Sequence, residues 1–138
     1  QSLVEVPVLD AFRGGIKFTG YENKVILPEK KAICGVDVRG GGPASRENQL
    51  LNPLMSNDGV NAVLLSGGSA FGLDAAGGVQ KYLEERNIGF DVGITKVPLV
   101  SQSCLFDLGV GRHDIRPDAA MAYKACENRK RAGSFVDY

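Results

Sequence analysis

The stretch from Val60 to Glu85, VNAVLLSGGSAFGLDAAGGVQKYLEE, changes its hydrophobic period midway, and this restricts the fold more than any other feature. Val60, Ala62, Val63, Leu64 and Leu65 form a short apolar run, the pattern of a buried strand. Ser66-Gly67-Gly68-Ser69 follows, where two glycines permit a sharp turn and a close backbone approach. Beyond it the apolar residues recur at helical spacing. Phe71, Ala75, Val79 and Leu83 lie four apart, and Leu73, Ala76 and Tyr82 widen the same stripe. This predicts a helix starting within a residue or two of Ser69, with Ser69 as its N-cap and Glu84, Glu85 and Arg86 in solvent. Gly72, Gly77 and Gly78 each cost roughly 1 kcal/mol against Ala inside a helix. Three in one helix predict a neighbour packed directly on its backbone.

The flanking sequence supplies short strands and one more helix. Leu3 to Leu9 reads as an edge strand broken by Pro7. Gly14-Gly15 is a turn, and Ile16–Thr19 and Lys24–Leu27 alternate as half-buried strands. Ala32 to Val38 is an apolar strand with Asp37 as its polar member, and Arg39 to Pro43 is a glycine-rich loop. Arg46 to Leu54 reads as an irregular crossover or short helix. Asn87 or Gly89 is the left-handed cap of the central helix. Ile94 to Val100 leads through Pro98 into a second apolar segment, Ser101–Leu108. Pro117 fits the first turn of a last helix ending near Arg129, with Asp118 supplying first-turn negative charge. With no repeat and no linker, residues 1–138 are expected to form a single α/β domain.

Sixteen basic and sixteen acidic residues cancel, which removes the electrostatic case for nucleic acid or an anionic membrane. No apolar run approaches the roughly 18 residues of a membrane helix, and no basic-then-apolar leader opens the sequence. Three widely spaced cysteines fit neither a disulfide framework nor a zinc site, so reduced thiols and a cytoplasmic location are expected. A lone His113 makes no metal site. No metal and no cofactor are expected.

Several segments offer chemistry, each with a plainer alternative. Ser66, Gly67, Gly68 and Ser69 offer backbone amides suited to a carboxylate or developing oxyanion, or form a packing turn. Ser66 or Ser69 as a nucleophile fails the G-x-S-x-G spacing and lacks a nearby histidine. Gly133-Ser134 has the form of a self-cleavage junction, but four following residues make a surface tail the better reading. Arg39 with Arg46 and Glu47 would hold an anion or pin their loop. Asp107, amid apolar residues, would orient a substrate ammonium or cap a neighbouring turn. Cys104 and Cys126 read as buried small hydrophobes.

Three blocks taken together resemble one family, the DmpA-like self-processing L-aminopeptidase/D-esterase peptidases, with their β-aminopeptidases and nylon-oligomer hydrolases. The first is Cys34-Gly35-Val36-Asp37-Val38-Arg39-Gly40-Gly41-Gly42-Pro43 with Arg46-Glu47. The second is Leu64-Leu65-Ser66-Gly67-Gly68-Ser69-Ala70-Phe71-Gly72-Leu73-Asp74-Ala75-Ala76 with Gly78-Val79. The third is Val97-Pro98-Leu99-Val100, Leu105-Phe106-Asp107-Leu108 and Arg116-Pro117-Asp118. The resemblance implies an αββα four-layer sandwich, of which this chain supplies the N-terminal part. It implies an amide hydrolase whose Ser or Thr nucleophile is released at the start of a second segment, so no catalytic residue is expected here. Ser66–Ser69, Phe106 and Asp107 become candidate substrate-binding residues for a small peptide or amide. Phe106 stands where some members carry a tyrosine hydroxyl. A nucleophile-bearing second segment and a homo-oligomer are the expected partners, with Phe12, Phe18, Leu99 and Leu105 as contacts. The alternative is a shortened, non-catalytic relative acting as a structural or binding module.

Overall fold

A computed structural model describes residues 23–128, so the readings at Leu3–Leu9, Gly14-Gly15, Ile16–Thr19 and Gly133-Ser134 lie outside the described residues. Four strands form one sheet: β1 (Asn23–Ile26), β2 (Ser45–Arg46), β3 (Ala62–Ser66) and β6 (Val100–Cys104), in the order β1-β3-β6-β2. The central pair β3 and β6 is parallel, while β1 and β2 flank it antiparallel. A separate hairpin, β4 (Phe90–Asp91) and β5 (Lys96–Val97), precedes β6. Two α-helices, α1 (Ala76–Glu84) and α2 (Ala119–Glu127), complete a mixed α/β architecture.

Both helices cover one face of the sheet. Along β3, Ala62, Leu64 and Ser66 are buried while Val63 and Leu65 are half-buried, the alternation of a strand packed on one side. The core joins Ala62, Leu64 and Val100 from the sheet to Ala75, Ala76, Val79, Tyr82 and Leu83 around α1, and to Ala122 and Cys126 from α2. Tyr82 and Tyr123 meet edge to face at 5.6 Å. Glycine sets the spacing between helices: a Cβ on Gly78 would stand 1.8 Å from the Ala119 carbonyl oxygen. Gly77 has open space at its Cβ position, so two of the three helix glycines, Gly72 and Gly78, answer to close packing.

The helical segment starts where the period change predicts, but its first seven residues, Ser69–Ala75, form a tighter 3-10 helix. Ser69 is not the side-chain cap. Gly68 holds that position in a left-handed conformation, and Ser69 itself has φ 54°, which turns its side chain away from a capping role. Phe71 does not join the core stripe, because the 3-10 geometry rotates it outward; it is 55% exposed and lies under the Arg116 guanidinium at 3.5 Å. At the far end Asn87 is the left-handed residue. Ile88 donates its amide to Leu83 at 3.0 Å and Asn87 to Glu84 at 2.9 Å, the paired bonds of a Schellman motif.

Two further expectations change. Ala32–Val38 is not a strand: Ala32 makes one bridge to Val60, and Ile33, Val36 and Val38 are exposed. Apolar alternation yields a strand only where a neighbour supplies the ladder bonds, and here Val60 alone supplies them. Asp118 caps α2 instead of charging its first turn, accepting the Met121 amide at 2.8 Å, and this leaves Pro117 outside the helix. The Arg46–Leu54 reading resolves into β2 followed by a short 3-10 helix, Asn48–Leu51.

Candidate functional site

The parallel strands β3 and β6 run side by side, so the segments leaving their C-terminal ends, Gly67–Ser69 and Leu105–Asp107, emerge together. In open α/β sheets that is the edge where ligands bind. Three hydrogen bonds stitch the two segments. Leu105 donates its amide to the Ser66 carbonyl at 2.9 Å, Ser69 donates to the Leu105 carbonyl at 2.9 Å, and Gly68 donates to Asp107 Oδ1 at 2.8 Å. Gly68 and Ser69 both have left-handed backbones, a conformation that costs a non-glycine residue such as Ser69 energy and persists where the surroundings over-determine it. Gly72 closes the turn from behind: a Cβ there would lie 1.9 Å from the Gly67 carbonyl oxygen.

A buried polar cluster supports this turn from inside the sheet. Gln102 is fully buried, and its Nε2 donates to Ser66 Oγ at 2.8 Å and to the Gly72 carbonyl at 2.7 Å. Ser66 Oγ also lies 3.2 Å from Cys104 Sγ. Burial pushes the Cys104 thiol above its ordinary value, only partly opposed by the Ser66 hydrogen bond, and the nearby Asp107 charge adds to the rise. Asp107 Oδ2 and Gln102 Oε1 are covered and have no hydrogen-bond partner among the described residues.

The structure therefore brings Ser66, Gly67, Gly68, Ser69 and Asp107 together. Phe106 stands on the same segment but is 83% exposed, a bare aromatic beside the pinned turn. Ser66 is buried and bonded to an amide and a thiol, an environment without a base to activate it. The Arg39–Arg46–Glu47 group does not assemble. Arg39 pairs with Asp37 at 2.9 Å, while Arg46 reaches Gln80 on α1 at 3.0 Å. Cys126 is a buried core residue, as its sequence context suggests, but Cys104 belongs to the polar cluster. Sequence reasoning missed Gln102 and Arg116. Gln102 is the third residue of Val100-Ser101-Gln102-Ser103-Cys104, and its alternation with Val100 and Cys104, two residues to either side, is the signal that sets its amide on the same face as they are. Among the described residues no cluster of metal-ligating side chains occurs.

The fold is thus a mixed α/β sheet with a glycine-built turn at the C-terminal ends of its parallel strands. The model of peptidase family S58 matches residues 15–135, and the chain belongs to that family. It is 47% identical over 104 residues to an uncharacterised aminopeptidase of Mycobacterium tuberculosis, covering 74% of this chain and 30% of that protein. An uncharacterised aminopeptidase of Mycobacterium leprae is 46% identical over 103 residues. A 6-aminohexanoate-oligomer endohydrolase of Kocuria is 30% identical over 96 residues, covering 70% of this chain and 24% of that protein. The chain thus spans less than a third of the length of the curated relatives it matches.

Proposed function

We propose that this chain is the scaffold and substrate-facing part of an aminopeptidase or amidase of the S58 family, acting on short peptides or amides with a free amine. The observation that carries this reading is the stitched turn at the C-terminal ends of β3 and β6, in a chain that matches the family over most of its length. In this reading Ser66–Ser69, Phe106 and Asp107 form one wall of the substrate site. Phe106 offers an apolar surface for the acyl side chain. Asp107 fixes the turn through Oδ1 and supplies negative charge toward an ammonium group. The nucleophilic Ser or Thr, and the base, belong to a further segment. A second sheet from that segment covers the face opposite α1 and α2, where Ile26, Val63 and Leu65 are half-buried, and completes a four-layer αββα sandwich.

Aminoacyl-p-nitroanilides test the reading on protein expressed from its complete reading frame, with intact mass recorded alongside. Two polypeptides and release of nitroaniline are expected, with the 138-residue chain inactive by itself. Asp107→Asn should raise KM for free-amine substrates about tenfold and leave an N-acetylated amide unaffected. Hydrolysis by the short chain alone, or equal loss on both substrate types, would contradict it.

A further inference from the structure

The Gly68 turn has a second charged neighbour besides Asp107. A Cβ on Gly68 would stand 3.5 Å from Arg116 Cβ and 3.1 Å from Pro117 Cδ, so the bare glycine lets the Arg116-Pro117 segment lie directly against the turn. The same glycine donates its amide to Asp107 Oδ1. One residue of the turn therefore adjoins both an acid and a base. The Arg116 guanidinium lies over the Phe71 ring, 3.5 Å from its centroid, and Phe71 stays 55% exposed. The stacked pair is thus at the surface beside the turn, where a ligand can reach it.

The contacts of Arg116 leave a defined part of it free. Phe71 takes one face of the guanidinium, and Nε donates to the His113 carbonyl at 2.8 Å. The acid nearest in sequence, Asp114, is held by Arg112 through two hydrogen bonds, and Asp118 is engaged in capping α2. Arg116 has no ion pair among the described residues. A guanidinium fixed by its face and its Nε presents its two Nη groups as a rigid planar fork, which matches the two oxygens of a carboxylate. We propose that Arg116 binds the C-terminal carboxylate of the substrate and makes the enzyme selective for short peptides with a free acid over their amides. This rests on the reading of Ser66–Ser69, Phe106 and Asp107 as the substrate wall. Asp107 and Arg116 then set opposite charges on either neighbour of one glycine, an arrangement suited to a peptide short enough for both of its charged termini to meet them. Arg116 determines specificity and takes no part in bond cleavage.

Steady-state kinetics on protein expressed from its complete reading frame test the proposal with Ala-Leu, Ala-Leu amide and Ala-Glu amide, and with alanyl-p-nitroanilide as the reference without a carboxylate. Wild-type kcat/KM should favour Ala-Leu over Ala-Leu amide about tenfold or more. Arg116→Met keeps an unbranched stem over Phe71 and removes the charge, and it should abolish that preference by raising KM for Ala-Leu. Arg116→Lys restores a charge without the fork and should recover the preference in part. A wild-type enzyme that releases nitroaniline but does not favour the free acid would overturn the proposal and leave the enzymatic reading standing. So would a preference that survives in Arg116→Met, or equal loss on acid and amide in both variants, the mark of a structural arginine. Dependence on Arg116 for Ala-Glu amide but not for Ala-Leu would also overturn it, by assigning the arginine to an acidic side chain. Failure to hydrolyse any of the four substrates would remove the enzymatic reading and the proposal with it.

Discussion

The two ends of the β3–β6 pair are built on opposite principles. At the C-terminal end, polar groups are turned inward: backbone amides go to Asp107 and Leu105, the buried Gln102 amide spans Ser66 and Gly72, and small residues allow close approach. At the N-terminal end, Phe90, Val92, Ile94 and Val97 are turned outward on a two-stranded hairpin. The first end has its geometry fixed within the chain, so substitutions of its supporting residues Gly72 and Gln102 act on the fold. The second carries apolar side chains that are already in water, so substitutions there change the stability of the fold little. An unsatisfied buried amide costs stability directly, whereas a valine that is exposed in the folded chain has little burial to lose.

Four substitutions test that contrast. Gly72→Ala places a Cβ 1.9 Å from a backbone oxygen that the turn cannot easily move, and should cost about 3 kcal/mol in urea unfolding. Gln102→Leu leaves the Gly72 carbonyl and Ser66 hydroxyl without their donor, and about 2 kcal/mol should be lost in the same measurement. At the other end, Gly93→Ala meets nothing within 4 Å and suffers only from its φ of 85°, about 1 kcal/mol. Ile94→Ser should change unfolding by less than about 0.5 kcal/mol, since its side chain is already in water. A hairpin glycine as sensitive as Gly72 would break the comparison.

Cys104 sharpens the comparison through pH. Its thiol is raised chiefly by burial, so the fold favours the neutral form. That contribution to stability is intact below the ordinary thiol pKa and is lost as pH rises through the higher folded value. Iodoacetamide should therefore alkylate Cys104 more slowly than free cysteine at mildly alkaline pH, read by intact mass. Alkylation at the free-thiol rate would mean the cluster is open to water.

The parts of the fold legible in the sequence are those set by local pattern. The period change across Ser66–Ser69 marks β3 and the start of the helical segment, and Asn87 marks its end, because a left-handed residue there is a local requirement. Membership of the DmpA-like family was legible too, since glycine spacing and order survive in the sequence. What was not legible depends on pairing at a distance. Ala32–Val38 has strand composition without a ladder to join, and Gln102 gains its role only through the parallel register that sets it beside Leu64. Phe71 shows the same limit, because a four-residue stripe cannot reveal that its first turn is 3-10. In the candidate site, the grouping of Ser66–Ser69 with Asp107 was foreseeable from sequence only as separate residues.

The central claim is that the Ser66–Ser69 turn is held rigid by Leu105–Asp107, and amide hydrogen exchange tests it most directly. Gly68, Ser69 and Leu105 lie outside the regular ladder, yet their amides are bonded to Asp107, Leu105 and Ser66. They should exchange about a hundredfold slower than the amide of Ile94 at the hairpin tip, and Asp107→Asn should speed Gly68 most. Exchange of Gly68 and Ser69 at the rate of Ile94 would show the turn to be open and would contradict the account.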